Sequence, residues 1–410
     1  MFFIYKVLIN IVFLFSPLIV LIRLIKRKEN IKRFVEKFGF FTKKRVSGKL
    51  IWFHGASVGE IQSIIPLIER LEKDRNINQI LITSNTLSSS IIINKLNLRK
   101  TIHQFFPIDC NFISSKFLDY WKPSKVFFVD SEIWPNTINN LFKKNIPIIL
   151  LNGRITKKTF NRWIKFSNFS KFIFSKFNFC LSASEESKRF LKKLGANKVK
   201  FFGNLKFSQS ENQSVRIDKN LERFLLKRNS WCASSTHYNE ERFCGLIHLE
   251  LKKKFKNFIT IIIPRHVDRV NQIKSDLVKL NLSVHLDHPR SKIKPNTDIY
   301  LVNSYGKTKS IFKICKNVFL GGSLINHGGQ NPLEAARYGC RIFHGPHVAN
   351  FKQIYEHLQK KNISYKVTNQ NHLTNLLQKK LDKKNYSKKP IKSLSQEGTK
   401  ILNKILKEIC

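Results

Sequence analysis

Residues 318–350 read VFLGGSLINHGGQNPLEAARYGCRIFHGPHVAN. The stretch opens with the apolar run Val318-Phe319-Leu320, breaks at Gly321-Gly322, passes a second glycine pair at Gly328-Gly329 and takes on helical character from Asn331 or Pro332. A strand running into a glycine-rich loop and then a helix brings backbone N–H groups and the positive helix end to one point, which suits a phosphate. Proline is at home in the first helical turn, where its missing N–H is not needed. Glu334, one turn in, is placed to accept hydrogen bonds from vicinal ribose hydroxyls while the phosphate rests on the glycines. Taken alone the pattern is equally that of a plain glycine turn, so the rest of the chain has to decide.

Outward from this stretch, short apolar runs alternate with helical patterns. Strands are expected at residues 50–53, 80–83, 126–129, 146–151 and 179–182, then again at 230–233, 258–263, 282–285, 299–302 and 318–320. Between the first two, Ile61, Ile64, Ile65, Ile68 and Leu71 line one face of a helix over 60–71. Such alternation implies a mostly parallel sheet covered on both faces. The polar stretch SQSENQSV at 208–215 interrupts it and reads as a linker. The expected organisation is α/β with an N-terminal anchor over 1–28, a first domain over 29–207 and a second over 208–410. There is no internal sequence repeat, only a repeated architecture.

The 410 residues suit two to three domains, and 42% hydrophobic content is ordinary for a globular chain. The charge is not ordinary: 74 Lys and Arg against 27 Asp and Glu leave a formal net charge of +47. That balance draws polyanions such as nucleic acid, anionic lipid or a phosphorylated substrate. Dispersed lysines together with abundant Asn, Ile and Phe also fit compositional drift, and no basic arm is present. Seven cysteines without a CxxC pair point to free thiols in a reducing compartment rather than a disulfide framework or zinc site. Residues 2–25 are nearly all apolar and are followed by Lys26, Arg27 and Lys28. The segment is expected to anchor the chain in a membrane, spanning it or lying in one leaflet, with the remainder on the cytoplasmic side.

In open α/β sheets ligands sit outside the carboxyl ends of the strands. The first half places HGASVGE (residues 54–60), DSEIWPN (130–136) and NGR (152–154) there; the second places SSTH (234–237), PRH (264–266) and the glycine stretch. Two such rims facing across a cleft would converge these groups. Glu60 reads either as a carboxylate capping the next helix or as a group facing substrate, with His54 and the glycines opening space. Asp130 and Glu132 form a close acidic pair beside Trp134, suited to orienting a sugar hydroxyl or capping the helix that Pro135 begins. Arg265 offers a fork for a phosphate or a surface salt bridge. Lys206 is uninformative by composition. His237, His266, His327, His344 and His347 lack a metal-binding spacing, and satisfied or solvent-facing imidazoles are expected.

Taken together, HGASVGE, VDSEIWPN, NGRIT, GNLKF, STHYNEE, PRHVDR and GGSLINHGGQNPLEAARYG, in this order, resemble the 3-deoxy-D-manno-octulosonic acid (Kdo) transferases of Gram-negative bacteria. The resemblance covers nearly the whole chain. It implies the GT-B glycosyltransferase architecture of two facing Rossmann-like domains, and transfer of Kdo from CMP-Kdo to the lipid A precursor at the inner membrane, without cofactor or metal. By motif, Glu60 corresponds to the general base, Asp130 to an acid supporting the transition state and Lys206 to its cationic counterpart near the departing phosphate. Pro264 and Arg265, Tyr305, Gly306 and Lys307, and Asn331, Pro332, Leu333 and Glu334 correspond to the segments that hold CMP. Asp130 stands where the pattern normally has Glu, and Lys307 where it tends to have an acid.

The chemistry agrees. A sugar hydroxyl attacking an anomeric carbon needs a base opposite the leaving nucleotide, and cationic or N–H donors on the phosphate as charge develops. A bisphosphorylated glycolipid acceptor accounts for both the anchor and the basic surface. The alternatives are another GT-B transferase with a different nucleotide sugar, which the fold alone does not exclude, and a basic nucleic-acid-binding protein, which lacks a recognition module here.

Overall fold

Runs such as LIWFH, KVFFV and FITIIIP carry apolar residues on both faces, as inner strands of a parallel sheet covered by helices must. The computed structural model describes residues 1–96, 98–209, 218–288, 291–381 and 389–409. It falls into two compact units, Met1–Ser210 with Glu397–Cys410, and Glu211–Gln396.

The first unit is built on β1 (Leu50–His54), β2 (Gln79–Ser84), β3 (Thr101–Phe105), β4 (Lys125–Val129), β5 (Ile148–Gly153), β6 (Phe179–Ser182) and β7 (Val199–Lys200). All pair in parallel, in the order β3-β2-β1-β4-β5-β6-β7. The chain goes out from β1 in one direction and returns to its other side at β4, so the switch point lies between β1 and β4. Trp52, Phe117, Trp121 and Phe128 fill the core on one face, each such side chain contributing about 1.5–3 kcal/mol on burial.

The second unit repeats the plan with β8 (Asn229–Thr236), β9 (Phe258–Pro264), β10 (Val284–Leu286), β11 (Ile299–Leu301), β12 (Asn317–Leu320), β13 (Arg341–His344) and β14 (Ser364–Lys366). The order is β10-β11-β9-β8-β12-β13-β14, again parallel, with the switch point between β8 and β12. Trp231, Phe258, Ile262, Phe319 and Phe343 form its core.

All ten strands expected from the sequence are present; β3, β7, β13 and β14 were not anticipated. The polar stretch read as a linker lies, from Ser210 to residue 215, outside the described residues. The sequence reading gave 208–410 to one domain, but the last helix, Lys389–Ile409, ends in the first unit. There Ile401 lies against Gly203, and Glu408 pairs with Lys200 at 2.6 Å. Six described cysteines are buried and free, and Cys410 lies outside the described residues.

The N-terminal helix, Phe2–Ile25, is long and apolar enough to cross a membrane, with a mean hydropathy of 2.5. One side of it packs on the first unit. Tyr5 donates a 2.7 Å hydrogen bond to the buried carboxylate of Asp109, Phe2 lies against Phe169 and Phe172, and Phe13 meets Phe38 and Phe112 edge-on. The other side, including Phe3, Leu14, Phe15 and Leu18, is exposed.

Candidate active site

The helix after β1, Val58–Leu71, starts at Ser57 with a reciprocal capping box. Ser57 Oγ accepts from the Glu60 N–H, and the Glu60 carboxylate accepts from Ser57 N at 3.4 Å and Ala56 N at 2.7 Å. The cap expected from the sequence is therefore formed. It does not use up the side chain's chemistry. Burial, reinforced by Glu132 and Asp130, pushes the Glu60 carboxyl up to about 7, against the opposing hydrogen bonds from Ser57 and Ala56. A carboxylate poised there exchanges a proton at neutral pH, as a general base requires.

After β4 the chain turns sharply at Asp130, whose φ of +62° lies in the left-handed region that a non-glycine residue adopts only under constraint. The constraint is visible: Asp130 N–H donates to Leu151 O and its carbonyl accepts from Arg154 N, both at 2.9 Å. Asn152, also left-handed, accepts from Leu205 N–H at 2.9 Å and fixes the turn that carries Lys206. Lys206 Nζ then reaches Asp130 Oδ2 at 3.0 Å, with both side chains largely buried. The shorter aspartate at this position thus does reach a cation. The acidic pair expected from the sequence is split, because Glu132 turns instead to His54 Nε2 at 3.2 Å and Trp134 Nε1 at 2.9 Å. His54 is steered by Thr83 Oγ1, 2.9 Å from its Nδ1. Glu60, Asp130 and Glu132 thus sit at the carboxyl ends of β1 and β4, on the switch point.

In the second unit Arg265 follows β9 with its side chain exposed and its N–H held by Thr236 O at 2.9 Å; Pro264 closes the strand. Tyr305 is 71% exposed, and Gly306 has φ +91° with open space where a Cβ would be. Lys307 Nζ pairs with the buried Asp287 at 2.5 Å, so its side chain is committed, and its carbonyl accepts from Ile311 N–H at 3.1 Å and Ser310 Oγ at 2.7 Å. Asn331 Oδ1 accepts from Leu333 N–H at 3.1 Å, Leu333 is buried, and Glu334 lies 3.8 Å from Lys309.

Two expectations for the glycine stretch are corrected. Its helix is short, Leu333–Arg337, with Pro332 at the cap, so its dipole is weak and local N–H groups carry any effect there. The N–H groups after the first glycine are also not aimed at an empty site. Gly322 N donates to Glu240 Oε2 at 2.7 Å, while Ser323 N and Leu324 N donate to Glu240 Oε1 at 3.2 and 3.1 Å. The His237 N–H adds a fourth bond to the same buried carboxylate, at 3.0 Å. Sequence reasoning missed Glu240 because the helix-start spacing of STHYNEE looks like an ordinary cap. It also missed that three of the five histidines gather: His237 lies 4.3 Å from His327 and 5.9 Å from His266, ring to ring. Burial, then His327, His266, Arg265 and Arg269, pushes the His237 imidazole down to about 4. His344 is buried with Nδ1 2.8 Å from Gly345 O, and His347 is exposed. Among the described residues no group of His, Cys, Asp or Glu forms a metal site.

Two parallel sheets, each with polar groups gathered at its switch point, make a GT-B-type fold. A UDP-GlcNAc 2-epimerase from Neisseria meningitidis shares the fold, with a TM-score of 0.58 over 88% of this chain and 100% of that one at 13% identity. Residues 32–209 match the family model of 3-deoxy-D-manno-octulosonic-acid transferase (kdotransferase). Over 97% of both chains the sequence is 31% identical to a 3-deoxy-D-manno-octulosonic acid transferase of Rickettsia bellii. It is also 31% identical to a probable mitochondrial one of Arabidopsis thaliana, over 88% of this chain and 83% of that one. The chain belongs to the Kdo transferase family and is a glycosyltransferase.

Proposed function

We propose that the enzyme moves Kdo from CMP-Kdo to the lipid A precursor, lipid IVA, with inversion. The observation that carries this reading is Glu60, a substrate-side carboxyl lifted to about 7 next to Asp130 and Glu132. In the reaction a glucosamine hydroxyl attacks the anomeric carbon of Kdo and passes its proton to Glu60. The bond to CMP breaks, and the nucleotide phosphate leaves with the electron pair. Lys206 supplies positive charge as the phosphate departs, and Asp130 holds Lys206 in place.

CMP is held by Pro264, Arg265, Tyr305 to Lys307 and Asn331 to Glu334. Arg265 serves as a phosphate fork, and Gly306 and Lys307 act through their backbone, which agrees with the pairing of Lys307 to Asp287. The apolar N-terminal helix and the net charge of +47 support work on a membrane-embedded, phosphorylated acceptor. The site of action on this reading is the cytoplasmic face of the inner membrane, and nucleic acid binds only weakly and without sequence preference. The test is a mass spectrum of the product formed from CMP-Kdo and lipid IVA. A Kdo-bearing lipid supports the reading and counts the residues added; transfer from UDP-sugars instead of CMP-Kdo overturns it.

A further inference from the structure

The nest of N–H groups after β12 already contains an anion. Four backbone donors, from His237, Gly322, Ser323 and Leu324, converge on the carboxylate of Glu240, which is 1% exposed. This nest stands at the β8/β12 switch point, where open α/β sheets bind their ligands, and converging backbone N–H groups suit an anion. The first glycine is explained by the same carboxylate. A Cβ at Gly321 would lie 2.7 Å from Glu240 Oε2 and 2.5 Å from Ser235 O, so glycine is required there by Glu240 and the β8 backbone. At Gly322, with φ +64°, a Cβ would lie 3.1 Å from His237 Nε2.

What the rim keeps for a ligand is limited. Arg265, at the end of neighbouring β9, is exposed, as are the imidazoles of His266 and His327. A second phosphate seeking the nest would meet saturated donors and a resident negative charge, a like-charge juxtaposition that weakens binding.

We propose that Glu240 is a specificity-determining residue that takes the place of a second phosphate and restricts this unit to nucleoside monophosphate sugars, excluding nucleoside diphosphate sugars. The inference rests on the reading that the second unit binds a CMP-linked donor, and it supplies a physical cause for the single phosphate. It works by occupation: the fold presents an anion-binding nest, and the chain fills it with its own side chain.

The test is binding of CMP, CDP, UMP and UDP to the full-length protein in detergent micelles, by titration calorimetry. The wild type is expected to bind CMP at least about tenfold more tightly than CDP. In Glu240→Ala the nest is vacated, and the CMP-to-CDP preference is expected to fall by about tenfold or more, mainly through a gain for CDP. Glu240→Gln, which keeps the size and removes the charge, serves where the alanine variant does not fold, with the same direction expected. A role limited to holding the loop weakens both nucleotides together and leaves their ratio unchanged, so an unchanged ratio in either folded variant overturns the proposal. So does a wild type that binds CDP as tightly as CMP, a result that needs no variant. Preference for uridine over cytidine nucleotides sinks the CMP-Kdo reading instead, and phosphate number is then still read from UMP against UDP.

Discussion

Glu60→Gln separates the two roles that coincide at this position. The amide keeps an acceptor for the Ala56 N–H, so the cap survives in large part; the helix-end charge it gives up is worth only about 0.3–1 kcal/mol, and above about pH 7 that loss is outweighed because burial disfavours the same charge. The amide takes no proton, so the transfer step is expected to fall by about 10²- to 10⁴-fold, with CMP affinity little changed. The raised pKa adds a second signature. The folded carboxyl holds its proton up to about 7, against 4.5 ordinarily. Between those values the native state binds more protons than the unfolded chain, so the contribution of Glu60 to stability falls as pH rises and levels off above about 7. At 1.36 kcal/mol per unit, two and a half units amount to about 3 kcal/mol that the wild type loses across this window and the glutamine variant does not. Urea unfolding of both proteins at pH 4.5 and 8, with single-turnover transfer from pH 5.5 to 8.5, reads both effects. The wild-type rate should climb through an apparent pKa near 7. A folded variant that retains more than about half of the wild-type turnover would exclude Glu60 as the base and turn attention to Asp130 and Glu132.

Lys206→Met removes the cation from the largely buried Asp130 and is expected to lower stability by about 3 kcal/mol as well as slowing turnover; a variant with unchanged denaturant midpoint contradicts the pairing. Tyr5→Phe deletes the 2.7 Å bond to Asp109 and should cost about 1.5–3 kcal/mol without releasing the protein from membranes, as thermal unfolding and flotation would report. Lys307→Ala should change CMP affinity by less than about twofold, because the ammonium pairs with Asp287; a loss above about tenfold would show that the side chain itself holds the nucleotide.

The inner strands were legible because unbroken apolar runs have few other places to go. β3 was not, since TIHQF spends its side chains on polar partners. His103 reaches Ser84 Oγ at 2.9 Å, and its carbonyl accepts from Arg33 at 2.7 Å. The edge strands β7 and β14, of two and three residues, carry too little pattern to register. Glu60 and Asp130 could be found by position alone, as the residues just beyond strands at the sheet centre. Lys206 stood out only through the family resemblance, because its role depends on Asn152 holding a turn 53 residues away in sequence. Glu240 was hidden for the same reason: three of the four N–H groups that hold it lie 82 to 84 residues later, at Gly322, Ser323 and Leu324.

The docking of the N-terminal helix ties together parts of the first unit that are far apart along the chain. Phe38 is a near neighbour in sequence, but Asp109, Phe112, Phe169 and Phe172 lie about a hundred residues or more from the side chains they meet. Asp109 does more than receive Tyr5, since it also accepts from Asn136 N and Thr137 N at the start of the helix Pro135–Lys143. The carboxylate that Tyr5 completes therefore also anchors the helix leading away from the Asp130 turn. The seating of the N-terminal helix and the start of the helix after β4 are in this way coupled through one buried carboxylate.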